Sequence, residues 1–192
     1  MRIHGDKNIH RRLDIPYMED YHDYIPYLRE DFYNICGYCG KHEMISHRGM
    51  EPDHFVPDRI DHSRQCDYSN LVYSCFTCNR KKQGKWPTSD KDKSHDENEG
   101  FVDPATSEYD MHLGRAENGE IEYYTSVGEY MFNTFRFGSR PIKIIWKASL
   151  LYELTEELKT KVNEMSDVNK EKYLSMYIEL SKFQQYLFNN NE

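Results

Sequence analysis

Four of the chain's five cysteines fall in two Cys-x-x-Cys pairs, Cys36–Cys39 and Cys75–Cys78, and no other feature constrains the fold as strongly. Each pair can supply two thiolates from one turn, and two pairs complete the tetrahedral set that Zn²⁺ accepts. The competing reading is a redox dithiol or a group of unpaired buried thiols. Zinc held by four protein ligands has no open position for water, so such an ion would be structural. It would clamp two distant segments together. Gly37 and Gly40 each follow a cysteine of the first pair and allow the tight turn that a metal knuckle requires. Cys66 lies outside both pairs and reads as a plain thiol.

The compartment bears on this arithmetic. The opening segment, MRIHGDKNIHRRL, has no apolar leader stretch, and no run anywhere approaches the roughly eighteen apolar residues of a membrane span. The cytoplasm is therefore the expected location, and there cysteine pairs favour metal over disulfides. The formal charge of −8 argues against a protein that coats nucleic acid non-specifically. Basic residues are nonetheless grouped. Lys7, Arg11 and Arg12 lie near the start, and Arg80, Lys81, Lys82 and Lys85 follow the second cysteine pair.

Along the chain, an irregular arm leads to a helix over about 17–34, with Pro26 placing its firm start near Ile25. A short strand ends at Pro57, and Leu71–Ser74 is a second. The helix that opens at the last cysteine runs toward Trp86-Pro87. Residues 88–100 are charged and poor in apolar residues, and read as a mobile surface loop. Asn118–Glu120 marks a turn between two short strands. Ser126 with Glu129 suggests a capping box for a helix over 127–137. Two long helices follow. One starts after Ser139 with a stripe of Leu150, Leu151, Leu154, Leu158 and Val162. The other starts after Asp167 with Tyr173, Met176, Tyr177, Leu180, Phe183 and Leu187. The expected architecture is α+β, in four segments: an N-terminal arm and helix (1–35), a zinc-stapled module (36–87), the charged loop (88–100) and a mainly helical C-terminal region (101–192).

The middle of the chain reads C-x-x-C, D-H-x-x-P, N-L and C-x-x-C-N-x-x-K in that order. The stretch EPDHFVP supplies the Asp-His pair. With this order the segment Cys36–Lys85 resembles HNH endonucleases, the ββα-metal nucleases, in their zinc-stapled form. The three motif positions fall on His54, Asn70 and Asn79. The resemblance implies that His54 is the general base, that Asp53 and Asn79 hold a catalytic divalent metal, and that Asn70 pins the loop presenting the histidine. Two hard oxygen donors favour Mg²⁺ or Mn²⁺ there, while zinc stays at the cysteines. A second helix histidine, common in the family, is replaced here by Gln83.

Arg80, Lys82 and Arg59 are the candidate phosphate contacts. DNA is the substrate that the resemblance implies, and RNA is the alternative, as in an RNA-cleaving toxin. A non-catalytic zinc-stapled interaction module is the rival from another class. The texture GFVDP…EYDMH…NGEI is also similar to HNH subunits of bacterial anti-phage systems such as Septu, in which the nuclease pairs with an ATPase. A module of about fifty residues is too small to need two long amphipathic helices for its own core, so the C-terminal helices would bind a partner or a second copy, or else pack on each other and on the zinc module.

Overall fold

A computed structural model describes residues 1–162 and 166–190, the side chains of residues 184 and 187–190 excepted. The predicted stripe position Leu187 therefore lies outside the described side chains. The core of the molecule is an antiparallel hairpin, β1 (Met50–His54) and β2 (Leu71–Cys75), with helices α1 (Ile25–Asp31) and α2 (Phe76–Lys82) packed on it. The register pairs Met50 with Cys75, Glu51 with Ser74, Asp53 with Val72 and His54 with Leu71. All five residues of β2 are buried, which is why it reads as a continuous apolar run rather than an alternation.

α1 starts as expected from Pro26 at its first turn. It stops sooner than its stripe suggests, because Tyr33 and Asn34 both take left-handed backbone angles on the way into Cys36. α2 likewise ends four residues before Trp86. Gln83 adopts φ 41° and Gly84 φ 66°, so the chain turns away at once.

The C-terminal region adds α3 (Tyr109–His112), a small hairpin of β3 (Leu113–Arg115) and β4 (Ile121–Tyr123), α4 (Ser126–Phe135), α5 (Ile142–Lys161) and α6 (Asp167–Asn190). The Asn118–Glu120 turn joins β3 to β4 as expected. The cap of α4 is Thr125 rather than Ser126; its hydroxyl accepts from the Gly128 amide at 3.1 Å. One apolar cluster runs from Leu28, Phe32 and Tyr38 through Leu71 and Val72 to Phe101, Tyr109, Leu113, Met131 and Phe135. Trp86 links the two regions, its ring edge-on to Phe55 at 5.4 Å and stacked on Phe101 at 6.5 Å.

Arg115 is the main polar tie. It is 1% exposed and donates to the carbonyls of Ile3, Gly119 and Cys39, with Trp146 4.0 Å away across its guanidinium plane. It thus joins the N-terminal arm, the first cysteine knuckle, the second hairpin and α5. The basic N-terminal residues are also used internally. Arg11 makes a fork to Asp103 at 2.8 and 3.0 Å, Arg12 pairs with Asp31 and Glu30, and Lys7 pairs with Glu153.

The face that α5 buries carries Ile142, Ile145, Trp146, Ala148, Ser149 and Thr155. The expected stripe lies to one side of it, and Leu150, Leu151 and Leu154 are exposed. α6 packs on α5, with Leu180 buried and Tyr177 and Phe183 exposed.

Candidate active site and its zinc staple

The four thiols meet. Cys36, Cys39, Cys75 and Cys78 are all buried, and their sulfurs lie within 4.8 Å of one another. The first pair sits on a knuckle closed by the Gly40 amide donating to the Cys36 carbonyl at 2.8 Å, with Gly40 at φ 68°. The second pair spans the junction of β2 and α2. The set fits tetrahedral Zn²⁺ in donor number, type and approach. Four thiolates around one Zn²⁺ leave a net negative charge. Arg140 answers it, with its guanidinium nitrogens 3.3 Å from Cys78 Sγ and 3.8 Å from Cys39 Sγ. Cys66 stands apart, its thiol against the Glu19 carbonyl.

β1 presents its alternate residues Glu51 and Asp53 to α2, where Asn79 and Lys82 lie three residues apart on one face. Two stepped contacts result. The Asn79 amide donates to Glu51 Oε2 at 2.6 Å, and Lys82 Nζ lies 3.1 Å from Asp53 Oδ2. The Tyr38 hydroxyl donates to the same Asp53 oxygen at 2.5 Å. Burial, and then the Asp53 carboxylate, hold the Tyr38 phenol protonated well above its usual range, so it remains a donor. Both contacts to Asp53 fall on Oδ2, and Asn79 donates through its nitrogen. The oxygens outside these contacts are Asp53 Oδ1 and Asn79 Oδ1, a hard pair suited to Mg²⁺ or Mn²⁺. Tyr38 and Lys82 hold the Asp53 carboxylate, and Glu51 holds the Asn79 amide.

His54, the next residue on β1, points the other way. Its ring lies 4.6 Å from Tyr21, and Nε2 is 2.8 Å from the Gln65 carbonyl oxygen. A carbonyl only accepts, so Nε2 carries the proton and the lone pair is on Nδ1. Asn70 fixes the loop that supplies this carbonyl. Its amide donates to the Val56 and Arg64 carbonyls and its oxygen accepts from the Val56 amide at 2.8 Å.

Lys82 requires a correction. Its side chain is fully buried, and Nζ donates to the His54 carbonyl at 2.6 Å as well as pairing with Asp53. It cannot reach a phosphate in solvent. The helix turn makes it an interior residue, whereas Arg80 is exposed with its guanidinium 5.1 Å from the Phe76 ring. Arg48 lies across the same ring at 4.4 Å. Arg59 is exposed and donates to the Gly84 carbonyl at 2.7 Å.

Sequence reasoning missed Glu51 and Tyr38. Glu51 was open to discovery, being two residues before Asp53 on the same strand face. Nothing local identifies Tyr38, which reaches Asp53 only because the cysteine knuckle folds over β1.

A hairpin and a helix closed at their base by four cysteines, with a histidine of fixed tautomer at the end of the first strand, define a zinc-stapled ββα module. Residues 36–85, fifty of the 192, match the family model of HNH endonucleases. No curated protein and no solved structure matches the chain.

Proposed function

We propose that the protein is a metal-dependent endonuclease that hydrolyses phosphodiester bonds of DNA, with His54 as general base. The observation that carries this reading is the hydrogen bond from His54 Nε2 to the Gln65 carbonyl, which leaves Nδ1 free to accept a proton. A water held at Nδ1 loses a proton to the ring as its oxygen attacks phosphorus, and the bond to the 3′ oxygen breaks. Asp53 and Asn79 would hold the divalent ion, which supplies charge stabilisation on the phosphoryl oxygens and the departing oxygen. Lys82 fixes this arrangement from behind, because it holds both the Asp53 carboxylate and the His54 backbone. Asn70 keeps the Gln65 segment in register through Arg64 and Val56. Arg80 and Arg59 are the exposed cations available to the DNA backbone.

A role in anti-phage defence, with an ATPase partner on α5 and α6, belongs to the same proposal. The defence role and the ATPase rest on the likeness to Septu; a partner on these helices is supported by the apolar side chains they leave exposed, among them Leu150, Leu154, Tyr177 and Phe183. No helix among the described residues is long and apolar enough to cross a membrane.

The test is incubation of purified protein with supercoiled plasmid, linear duplex, single strands and RNA. Each is run with Mg²⁺, with Mn²⁺ and with chelator. Metal-dependent cleavage of DNA that His54→Ala abolishes is the expected result. Cleavage of RNA alone would move the substrate, and no cleavage of any nucleic acid would leave the module as a binding platform.

A further inference from the structure

Among the described residues, metal-ligating side chains converge at a second place, outside the segment that matches the nuclease family. His95 comes from the charged loop, Glu108 from the N-cap of α3 and His112 from its last position. One ligand atom of each lies within 4.8 Å of the other two. Glu108 Oε1 is 3.1 Å from His95 Nε2 and 3.6 Å from His112 Nε2, and the two imidazole rings are 5.7 Å apart. In a tetrahedral zinc site, ligand atoms about 2.05 Å from the ion sit about 3.3 Å from each other. The three groups need only a small adjustment to reach that spacing.

We infer that His95, Glu108 and His112 form a binding site for a divalent ion of the Zn²⁺ class, separate from the cysteine staple and from the nuclease centre. The two imidazole nitrogens are borderline donors, and with one carboxylate oxygen they suit Zn²⁺, Co²⁺ or Ni²⁺ better than Mg²⁺. The outer contacts suit it too. His112 Nδ1 lies 2.6 Å from the Thr125 hydroxyl, which also caps α4 by accepting from the Gly128 amide. With Nδ1–H donating to Thr125, the Nε2 lone pair of His112 faces Glu108, the orientation that a ligating histidine takes. The rival arrangement is ion-free, with the His95 Nε2 proton donated directly to Glu108 and the Glu97 amide 3.4 Å from His95 Nδ1.

Glu108 is about half exposed, so a fourth position is open to water or to an outside ligand. An ion here would clip the 88–100 segment to α3 and α4. At present a bridge between His95 and Gly100, the Phe101 amide to the Ser94 carbonyl, and the Trp86 ring donating to the Asp90 carbonyl shape that segment. The sequence signal was the spacing Glu-x-x-x-His at 108–112, which puts both ligands on one side of a helical turn.

The test uses full-length protein with its staple zinc in place, titrated with Zn²⁺ in a calorimeter and read in parallel by elemental analysis after desalting. Wild type is compared with His95→Ala, Glu108→Gln and His112→Ala. Each variant should bind one Zn²⁺ fewer per chain, or bind it at least about tenfold more weakly. Cysteine zinc and circular dichroism should be unchanged. Glu108→Gln alters a half-exposed side chain, so it decides the matter even if His112→Ala fails to fold. Trypsin provides a second readout: added Zn²⁺ should slow cleavage after Lys91 and Lys93 in wild type and not in the variants. Equal zinc stoichiometry and affinity in wild type and Glu108→Gln overturns the site. Zinc-independent trypsin cleavage of wild type overturns the clip. Neither result depends on nuclease activity.

Discussion

Replacing Lys82 by Met separates two roles that a lysine beside a nuclease motif could have. The side chain is fully buried, with Nζ 2.6 Å from the His54 carbonyl and 3.1 Å from Asp53. Removing the ammonium leaves the Asp53 carboxylate, 8% exposed, without its cation. Breaking a buried pair from one side costs about 3–5 kcal/mol. For a chain of this size that corresponds to a melting-temperature drop of about 6–20 °C. The loss is a large share of the roughly 5–15 kcal/mol that holds a typical domain together. Urea unfolding with zinc content held constant measures it. The double variant Asp53→Asn/Lys82→Met removes both charges while leaving the Tyr38 hydroxyl an acceptor, and should recover most of the lost stability, since the uncompensated carboxylate is the main cost. DNA binding by Lys82→Met should keep its full salt dependence, because Lys82 neutralises no phosphate. Arg80→Ala should instead leave stability alone and lower the salt slope by about one. A Lys82→Met protein within about 1 kcal/mol of wild type, or a double variant as unstable as the single, would refute the buried-pair reasoning.

His54→Ala should abolish cleavage while zinc content and circular dichroism stay at wild-type values; cleavage at the wild-type rate removes His54 from the mechanism. Cys75→Ser/Cys78→Ser should lose the tightly held zinc and with it cooperative folding, because metal binding free energy at such a site is folding free energy; elemental analysis and thermal melts read both. Burial drives His4 from its ordinary 6.5 down to about 4, its ring close to the Gly37 carbonyl at 2.6 Å. A folded pKa below the unfolded one means that the unfolded chain takes up the proton first. The stability His4 contributes is therefore complete above about pH 6.5 and is lost as pH falls toward 4, in all about 3 kcal/mol. His4→Gln should flatten that acid limb relative to wild type in urea titrations across this window, and superimposable limbs would refute the assignment.

The parts of the fold legible in the sequence were those fixed by local chemistry. Two cysteine pairs at turn spacing had few stable uses, and they do converge. Pro26, the Asn118–Gly119 turn and the strand at Leu71 also stand where local rules put them, whereas the first strand ends at His54, three residues before Pro57. The long helices were found, but the buried face of α5 was not. Its apolar residues are too numerous for periodicity to choose between Ile145-Trp146-Ser149 and Leu150-Leu151-Leu154. The choice is made by Arg115, whose guanidinium lies against Trp146.

At the site, the sequence lets a twisted strand end before Pro57 bring Asp53 and His54 to one centre, but β1 ends at His54 and the two side chains take separate partners. Asp53 turns inward to a tyrosine and a lysine that fix one of its oxygens, while His54 turns to a carbonyl that fixes its proton. Lys82 could not be placed from sequence, because basic residues after a cysteine pair look alike until the helix ends. The left-handed turn at Gln83 and Gly84 and the packing of α2 on β1 put Lys82 on the inner face and leave Arg80 outside. One helical step therefore separates a residue that binds the strand from one available to bind phosphate. The same lysine holds the carbonyl of His54 and the carboxylate of Asp53, so the relative placement of these two residues depends on α2 keeping its register. That register is set by Cys78 in the first turn of α2. A structural zinc at the four cysteines would in this way hold His54, the proposed base, and Asp53, the proposed metal ligand, in their relative positions.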